Sequence, residues 1–330
     1  MTRSLAVQIV TWNSGSVLGA CLDSLARQTT RDFTVVLVDN ASADDTLGVI
    51  EQARERIEDL RVVGLPTNSG FSGGHNRALV ETSSPFVLLL NPDTVLPDDF
   101  VARAVAAMEA APPEVGTLAP RVIGADDRID STGLYLDRLR RARDRDQGLP
   151  AAAVTRPAGD VFGCTGAVAL HRRSMLDDVA IDGEVLSEQL FAYYDDVDLS
   201  WRARLRGWTC HYEPALEAWH GRAARNRLRG ARTRRRVDEQ VLSVRNRWLT
   251  MVRCEPASGL IRDVPLLVAF EVVQCLYLLA RAPRALRVYG SLARDLGPAL
   301  AARRIVRART RSHRVPPMPW RVPRRMESRQ

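Results

Sequence analysis

Short apolar runs alternate with helical patterns over the first 120 residues of the chain. The apolar runs predict strands at 5–11, 33–39, 60–64, 85–90 and 115–119, and the stretches between them predict helices near 15–28, 44–58, 72–83 and 97–110. This alternation is typical of βαβ units, which build a mostly parallel sheet flanked by helices. We therefore expect an α/β protein.

The regular pattern weakens between residues 120 and 160, where charged and small residues predict a surface excursion or a flexible flap. It resumes with a glycine-punctuated run at 161–170, predicted as one strand, and with a helix near 195–206. Long helical segments with basic flanks then occupy about 231–254, 257–281 and 283–312.

These changes of pattern predict two parts. Residues 1–230 form the α/β domain, and residues 231–330 form a helical, Arg-rich C-terminal extension. The sequence shows no internal repeat, and the last stretch of the extension is rich in proline as well as arginine.

Three predicted strands end in polar residues. Asp39 and Asn40 follow the second strand, Asn68 opens a glycine-rich turn after the third, and Asn91-Pro92-Asp93 follows the fourth. Ligands of open α/β sheets bind outside the carboxyl ends of the strands. A glycine-rich turn before a helix favours a diphosphate, and a carboxylate such as Asp93 can hold Mg²⁺ or Mn²⁺. Turn formation and helix capping explain the same residues without a ligand, so both interpretations stay open.

Three acids, Asp195, Asp196 and Asp198, stand at the start of the predicted helix 195–206. The helix dipole favours ionised acids at this end, and a carboxylate held there can act as a general base. Ordinary helix capping is the alternative that the pattern alone leaves open.

All 47 basic residues are arginine, which excludes a Schiff-base lysine and the lysine-containing phosphate loop. The net charge of +8 is uneven, because the last 50 residues carry +12 and the first 280 carry −4. The five cysteines form no CxxC pair and predict free thiols in a reducing compartment. The first apolar run is too short for a signal peptide, so a cytoplasmic chain is expected.

Several motifs in a fixed order resemble one known family. They are Thr11-Trp12-Asn13, Asp39-Asn40-Ala41-Ser42, Asn68-Ser69-Gly70-Phe71 with Gly74 and Asn76, Asn91-Pro92-Asp93, and Asp195-Asp196-Val197-Asp198 with Gly207-Trp208. The order resembles the family 2 inverting glycosyltransferases, especially their bacterial rhamnosyltransferase-like branch, over residues 4 to about 250. The resemblance implies a GT-A fold with a Rossmann-like sheet, a nucleotide-diphosphate sugar as donor and a divalent metal, Mg²⁺ or Mn²⁺.

The resemblance also implies roles for single residues. Asp39 matches the acid that contacts the nucleobase, and Asp93 matches the metal-binding last acid of the DxD motif. Asp196 matches the catalytic base, with Asp195 where glutamate is usual, and His220 matches a histidine that reaches the metal or the diphosphate. The other predicted donor-binding residues are Thr11, Asn13, Asn40, Asn68, Gly70, Gly74, Asn76, Arg77 and Asn91.

The implied activity is inverting transfer of a sugar, rhamnose or a related hexose, to a cell-envelope glycan or a polyprenyl-linked acceptor. Glucosyl or galactofuranosyl transfer fits the same motifs. A basic nucleic-acid-binding protein is the non-enzyme alternative. The net acidic body and the lack of aromatics among the basic residues argue against it, so no nucleic acid partner is expected.

The extension contains an apolar run over residues 264–280 with one acid, Glu271. The run is shorter than the roughly 20 residues that span a bilayer, so it predicts a buried or interface-lying helix. Basic residues follow it: Arg281, Arg284, Arg287, Arg303, Arg304, Arg307, Arg309, Arg311 and Arg314. They predict peripheral docking on anionic lipid at the inner face of the cell membrane, with an ordinary solvated helix as the alternative.

Overall fold

The computed structural model describes residues 2–124, 126–221, 232–281 and 283–311, without the side chains of 232–240 and 257–260. The strands are β1 (Leu5–Thr11), β2 (Phe33–Asp39), β3 (Leu60–Gly64), β4 (Phe86–Leu90), β5 (Thr94–Val95), β6 (Val115–Gly124), β7 (Ile129–Ser131), β8 (Leu134–Leu136), β9 (Ala142–Asp144), β10 (Gly159–Val161), β11 (Val168–Arg172) and β12 (Thr209–His220). The helices are α1 (Gly15–Ala26), α2 (Thr46–Ala53), α3 (Gly70–Leu79), α4 (Phe100–Ala110), α5 (Arg173–Val179), α6 (Asp195–Arg206), α7 (Arg232–Cys254), α8 (Ala257–Arg281) and α9 (Arg287–Arg309).

The central sheet has the strand order β10-β12-β6-β11-β4-β1-β2-β3, with β5 beside β12 and β7 beside β6. Its β4-β1-β2-β3 half is parallel throughout, as the sequence predicts. Beyond β4 the sheet is mixed, because β11 runs antiparallel to both β4 and β6. The predicted α/β fold of helices on a Rossmann-like sheet is confirmed.

Helices cover both faces of the parallel half. Leu18 and Leu22 of α1 pack with Val35 and Leu37 of β2 on one face. Val36 of β2 packs with Ala78 of α3 on the other. Strands buried on both faces are apolar along most of their length, which explains the predominantly hydrophobic sequences of β1 and β2. The helices leave the carboxyl ends of these strands uncovered, and polar residues lie at this edge of the sheet.

The prediction of one strand over residues 161–170 is wrong. Residues 159–161 form β10 beside β12, and residues 168–172 form β11 beside β4. Since β12 and β6 separate β10 from β11 in the sheet, one continuous strand cannot occupy both places. The chain between them is irregular, and its backbone contacts the start of α6.

The charged stretch between residues 120 and 160 is not a surface flap. It contains β7 and a β8–β9 hairpin, and the side chain of Arg140 is 2% exposed. Arg140 donates to Glu255 at 2.7 Å and also pairs with Asp263, both in the helical extension. Arg138 and Arg140 of this stretch therefore form buried ion pairs with a distant part of the chain.

The long C-terminal helices are confirmed, although the last one begins at Arg287 after a short 3-10 turn at Pro283–Leu286. The predicted boundary at residues 230 and 231, and Arg314, lie outside the described residues. Helix α7 packs on α9 and α6. The contact of α7 with α6 joins the extension to the α/β part, in addition to the ion pairs of Arg140.

Asp198 of α6 is the charged centre of that contact. Its carboxylate is 0% exposed and accepts hydrogen bonds from Arg202 at 2.7 Å and from Arg253 of α7 at 2.8 Å. Burial alone would raise the pKa of Asp198, but Arg253 and Arg202 hold it below its usual value. One buried carboxylate thus balances the charges of two buried guanidinium groups.

We expect Asp198→Asn to lower the free energy of unfolding by about 3–5 kcal/mol, because it leaves two buried arginines without their counter-ion. Urea denaturation measures this loss. Asp98→Asn is the matched control, since Asp98 pairs with Arg27 at the surface, where such pairs contribute about 0–1 kcal/mol. Equal effects of the two substitutions would contradict the structural importance of Asp198.

Candidate active site

The first cluster of predicted residues lies where β1 and β2 end. Thr11 and Asp39 are register partners at these ends, and both are buried. Asp39 accepts hydrogen bonds from the hydroxyl of Ser42 at 2.5 Å and from its amide at 3.1 Å. Asn13 has a φ of 51° and accepts a bond from the amide of Ala43 at 2.8 Å. The structure therefore brings Thr11, Asn13 and Asp39 together around one turn.

Asn40 joins this turn to the start of α3. It is buried, donates to the carbonyl of Gly70 at 2.9 Å and accepts from the amide of Ser69 at 3.1 Å. Asn68 accepts from the amide of Gly70 at 2.8 Å. Both side chains use these hydrogen bonds to hold the glycine-rich turn in shape. Their direct role in donor binding stays a prediction.

Two glycines of α3 occupy positions that no side chain fits. Gly70 has a φ of 78°, and a Cβ there would lie 2.3 Å from the carbonyl oxygen of Phe191. A Cβ on Gly74 would lie 2.5 Å from Val10. The amide of Ser72 donates to Phe191 at 3.2 Å. The first turn of α3 therefore packs against the chain that precedes α6, and its role in diphosphate binding stays a prediction.

The other two predicted residues of α3 have different surroundings. Asn76 donates to the carbonyl of Leu186 at 2.8 Å and accepts from its amide at 3.0 Å, which fixes a neighbouring loop. Arg77 stands in the last turn of the helix, is exposed and pairs with Glu81 at 2.6 Å. The structure does not bring Arg77 to the strand ends, because these face the opposite end of α3.

Asp93 and His220 meet beyond the ends of β4 and β12. Nε2 of His220 lies 3.0 Å from Oδ1 of Asp93 and 3.4 Å from Nδ2 of Asn91. Their contact follows from the pairing of β5 with β12, in which His220 is the register partner of Thr94. The structure thus brings together Asp93 and His220, the two residues predicted near a metal, and Asn91, which is predicted to bind the donor.

Asp130 is the member of this group that the sequence does not reveal. Its carboxylate lies 2.7 Å from Nδ1 of His220, and both side chains are buried. Burial lowers the pKa of His220, but hydrogen bonds to Asp130 and Asp93 outweigh it and raise that pKa to about 9. Asp130 also fixes the orientation of the ring.

The donor chemistry of Asp93 and His220 fits a divalent cation. Carboxylate oxygen and imidazole nitrogen are suitable ligands, and an acid behind the histidine is the usual support of a metal-binding ring. Within the part of the chain that the structure describes, no three His, Cys, Asp or Glu side chains form a complete metal site. A cation at this pair would need further oxygen ligands from a bound substrate.

Asp195 and Asp196 begin α6, and their surroundings differ. Asp195 is buried, and burial together with Asp196 raises the pKa of Asp195 well above its usual range. Asp196 is partly exposed and accepts bonds from the amides of Gly166 at 3.1 Å and Val197 at 2.8 Å. Burial, assisted by Asp144, raises the pKa of Asp196 to about 6. Asp196 is therefore the carboxylate suited to taking a proton near neutral pH.

The irregular chain before β11 connects this carboxylate to the Asp93–His220 pair. Ala167 accepts a hydrogen bond from the amide of Asn91 at 2.9 Å. The next residue back, Gly166, donates to Asp196. The carboxyl end of β4 and the start of α6 thus contact two consecutive residues of the same segment.

We expect His220 to remain protonated up to about pH 9 in the metal-free chain, because Asp130 and Asp93 favour the imidazolium form. Asp130→Asn should move this titration toward the ordinary histidine value of about 6.5. NMR titration of the histidine ring protons measures both values, with exposed Asp126→Asn as the control. A His220 that titrates near 6.5 in the natural chain would contradict the arrangement.

A family model and curated relatives match the sequence of this chain. Residues 6–179 match the model of glycosyl transferase family 2. The chain is 35% identical over 102 residues to a PGL/p-HBAD biosynthesis glycosyltransferase of Mycobacterium tuberculosis, a match that spans 40% of that relative's length. It is 27% identical over 252 residues, 68% of this chain and 78% of the relative, to the N-acetylglucosaminyl-diphospho-decaprenol L-rhamnosyltransferase of the same species.

Solved structures share the fold. TarS of S. aureus in complex with UDP superposes with a TM-score of 0.55 and 19% identity, covering 94% of this chain and 88% of TarS. The mannosyltransferase PcManGT of Pyrobaculum calidifontis, in complex with GDP-Man and Mn²⁺, gives 0.54 and 19% over 93% of this chain and 80% of its own. Since the family model covers more than half of the chain, the protein belongs to glycosyl transferase family 2.

Proposed function

We propose that the protein is an inverting glycosyltransferase that uses Asp196 as its base. The observation that carries the proposal is the position of Asp196, at the start of α6 and bonded to Gly166, next to the segment that holds Asn91. Its pKa of about 6 lets it be ionised at neutral pH and still accept a proton.

In the proposed reaction an acceptor hydroxyl attacks the anomeric carbon of the donor sugar. The new carbon–oxygen bond forms while the bond to the diphosphate breaks, and the hydroxyl proton passes to the carboxylate of Asp196. One displacement from the opposite face inverts the anomeric configuration. Burial and the neighbouring Asp196 raise the pKa of Asp195, which favours its neutral form beside the base.

A divalent cation, Mg²⁺ or Mn²⁺, held by Asp93 and His220 would neutralise charge on the departing nucleoside diphosphate. Asp130 keeps the histidine ring in place through Nδ1 and leaves Nε2 directed at Asp93. Asp39, with Thr11 and Asn13, is proposed to contact the nucleoside at the other end of the same edge.

The donor sugar and acceptor are proposed from the relatives. One curated relative is named for rhamnosyl transfer to a diphospho-decaprenol acceptor. We propose rhamnose or a related hexose as the transferred sugar and a cell-envelope glycan or a polyprenyl-linked glycan as the acceptor. Glucosyl and galactofuranosyl donors are the alternatives that the same experiment distinguishes.

The test is release of nucleoside diphosphate from a panel of nucleotide sugars, with and without EDTA. We expect one hexose donor to be turned over, EDTA to abolish turnover and Mn²⁺ or Mg²⁺ to restore it. Asp196→Asn should lower kcat by at least about 100-fold, as expected for removal of a general base.

The control for this substitution is Asp177→Asn, because Asp177 is an exposed acid on α5. Binding of the nucleotide sugar by calorimetry should stay within about threefold of the natural chain in both variants, since Asp196 is proposed to act on the acceptor. Near-normal kcat in Asp196→Asn would remove this residue from the role of base.

We further propose that α8 lies on the membrane surface. Its residues Ile261–Arg281 form a helix that is long and apolar enough to cross a membrane, with a mean hydropathy of 1.7. One face carries exposed apolar side chains three or four residues apart: Ile261, Val264, Val268, Val272, Leu276 and Leu279. A solvent-facing apolar stripe of this length is typical of a docking surface.

The acids of α8 support an interface-lying helix over a spanning one. Glu271 forms an ion pair with Arg247 of α7, and Asp263 pairs with Arg138 and Arg140. These pairs attach the helix to the body and direct its apolar stripe outward. Exposed arginines, among them Arg281 and Arg284, follow the stripe and would attract anionic lipid.

Vesicles that contain phosphatidylglycerol should bind the protein at low salt, and pure phosphatidylcholine vesicles should bind it at least about tenfold more weakly. The double substitution Val268→Asp and Leu276→Asp should also weaken binding by at least about tenfold, because it places two charges in the stripe. Cosedimentation measures both effects.

Leu47→Asp is the matched control, since Leu47 is an equally exposed leucine on α2. Its binding to the anionic vesicles should equal that of the natural chain. Failure of the natural chain to bind them, or equal loss in the α8 variant and the Leu47 variant, would contradict the proposed orientation.

A further inference from the structure

The chain that enters α6 has an unusual backbone. Phe191, Tyr193 and Tyr194 have φ values of 63°, 70° and 66°, in the left-handed region that side chains disfavour. Each such residue costs about 1 kcal/mol or more, and a conformation of this kind persists only where its surroundings hold it. We call residues 190–194 the entry loop, because Asp195 and Asp196 follow it directly.

Asn246 of α7 forms hydrogen bonds with the backbone of the entry loop. Its Nδ2 lies 2.7 Å from the carbonyl oxygen of Leu190, 2.9 Å from that of Ala192 and 2.8 Å from that of Tyr193. The side chain is 0% exposed, and its Oδ1 accepts from Arg245 at 2.9 Å. The buried amide of Asn246 thus binds three carbonyl groups of a five-residue loop.

The chemistry of these contacts requires a neutral donor. The amide nitrogen offers two protons to three carbonyl oxygens, so one proton is shared. A flipped amide or a carboxylate would set an oxygen against the same three oxygens. Asparagine therefore fits this position for its donors as well as for its size.

The opposite side of the entry loop contacts the first turn of α3. The amide of Ser72 in α3 donates to the carbonyl of Phe191, at the place where only a glycine fits at position 70. The loop thus lies between α3 and α7. A displacement of the loop would move the start of α6, and Asp196 with it.

We propose that Asn246 is a positioning residue for the reaction: it holds the entry loop in its left-handed conformation and so fixes Asp196 against Gly166. The proposal rests on the proposed function for the role of Asp196. With this role of Asn246, the helical extension supports the active site. The extension is also proposed to contact the membrane.

The first test measures the loop without substrate. Hydrogen–deuterium exchange of the full-length protein should show faster exchange over residues 190–196 in Asn246→Asp and in Asn246→Ala. The middle of α6 and the sheet should be unchanged. The alanine variant removes the donors without adding a charge, so it carries the test if the aspartate variant does not fold.

The second test separates positioning from binding. Both variants should lower kcat by about 10- to 100-fold, the effect expected when a reacting group is misplaced by about 1 Å. The KM for the nucleotide sugar should stay within about threefold. Arg303→Met is the matched control, because Arg303 of α9 bonds the carbonyl of Val252 in α7 and does not touch the entry loop.

Three results would overturn the proposal. They are unchanged exchange over residues 190–196, exchange that rises equally over the whole protein, and a kcat within about twofold of the natural value despite a loosened loop. Since the exchange experiment uses no substrate, it tests the hold of Asn246 on the loop even if the natural chain turns over none of the nucleotide sugars. That last outcome would refute the proposed function and would leave the structural part standing.

Discussion

The left-handed backbone of Phe191, Tyr193 and Tyr194 is the constraint on which the rest of the site depends. It turns the chain sharply into α6, so that Asp195 and Asp196 begin the helix with their carboxyl groups next to the irregular segment before β11. The conformation is unfavourable for the phenylalanine and the tyrosines that adopt it. Contacts from α3 on one side and α7 on the other therefore have to hold it.

This constraint explains why distant parts of the chain are joined by buried polar contacts. Asp198 binds arginines of α6 and α7, and Asn246 binds the loop that precedes α6. Arg140 joins the β8–β9 hairpin to the extension. Arginine suits these places, because its planar group satisfies several acceptors at once where burial leaves no water to do so. Part of the large arginine content is therefore structural.

The positions of single elements could be predicted where the signal is local. The bounds of β1, β2, β3 and α6 agree with those predicted from the sequence, because each is a mostly apolar run or a helix with acids at its start. The division of residues 159–172 between two strands depends on β12, which lies much later in the chain. The hydrophobic periodicity of residues 159–172 does not indicate that β12 pairs with part of them.

The same distinction holds for the site. Asp93, Asp196 and His220 stand in recognisable motifs, whereas Asp130 and Asn246 act through contacts with residues about 90 and 55 positions away. Asp130 lies within a short buried strand, and Asn246 lies within a helix rich in arginine. Neither pattern distinguishes them from ordinary polar residues, so only the folded chain reveals what they contact.

The pH dependence of kcat/KM for release of nucleoside diphosphate tests the role of Asp196 most directly. A base with a pKa of about 6 predicts activity that is level at neutral pH and falls about tenfold for each pH unit below 6, because the carboxylate is then protonated. Burial and the neighbouring Asp144 raise the pKa of Asp196 to that value, and Asp196 in turn raises the pKa of Asp195. Activity that stays constant down to pH 5 would contradict the assignment of Asp196 as the base.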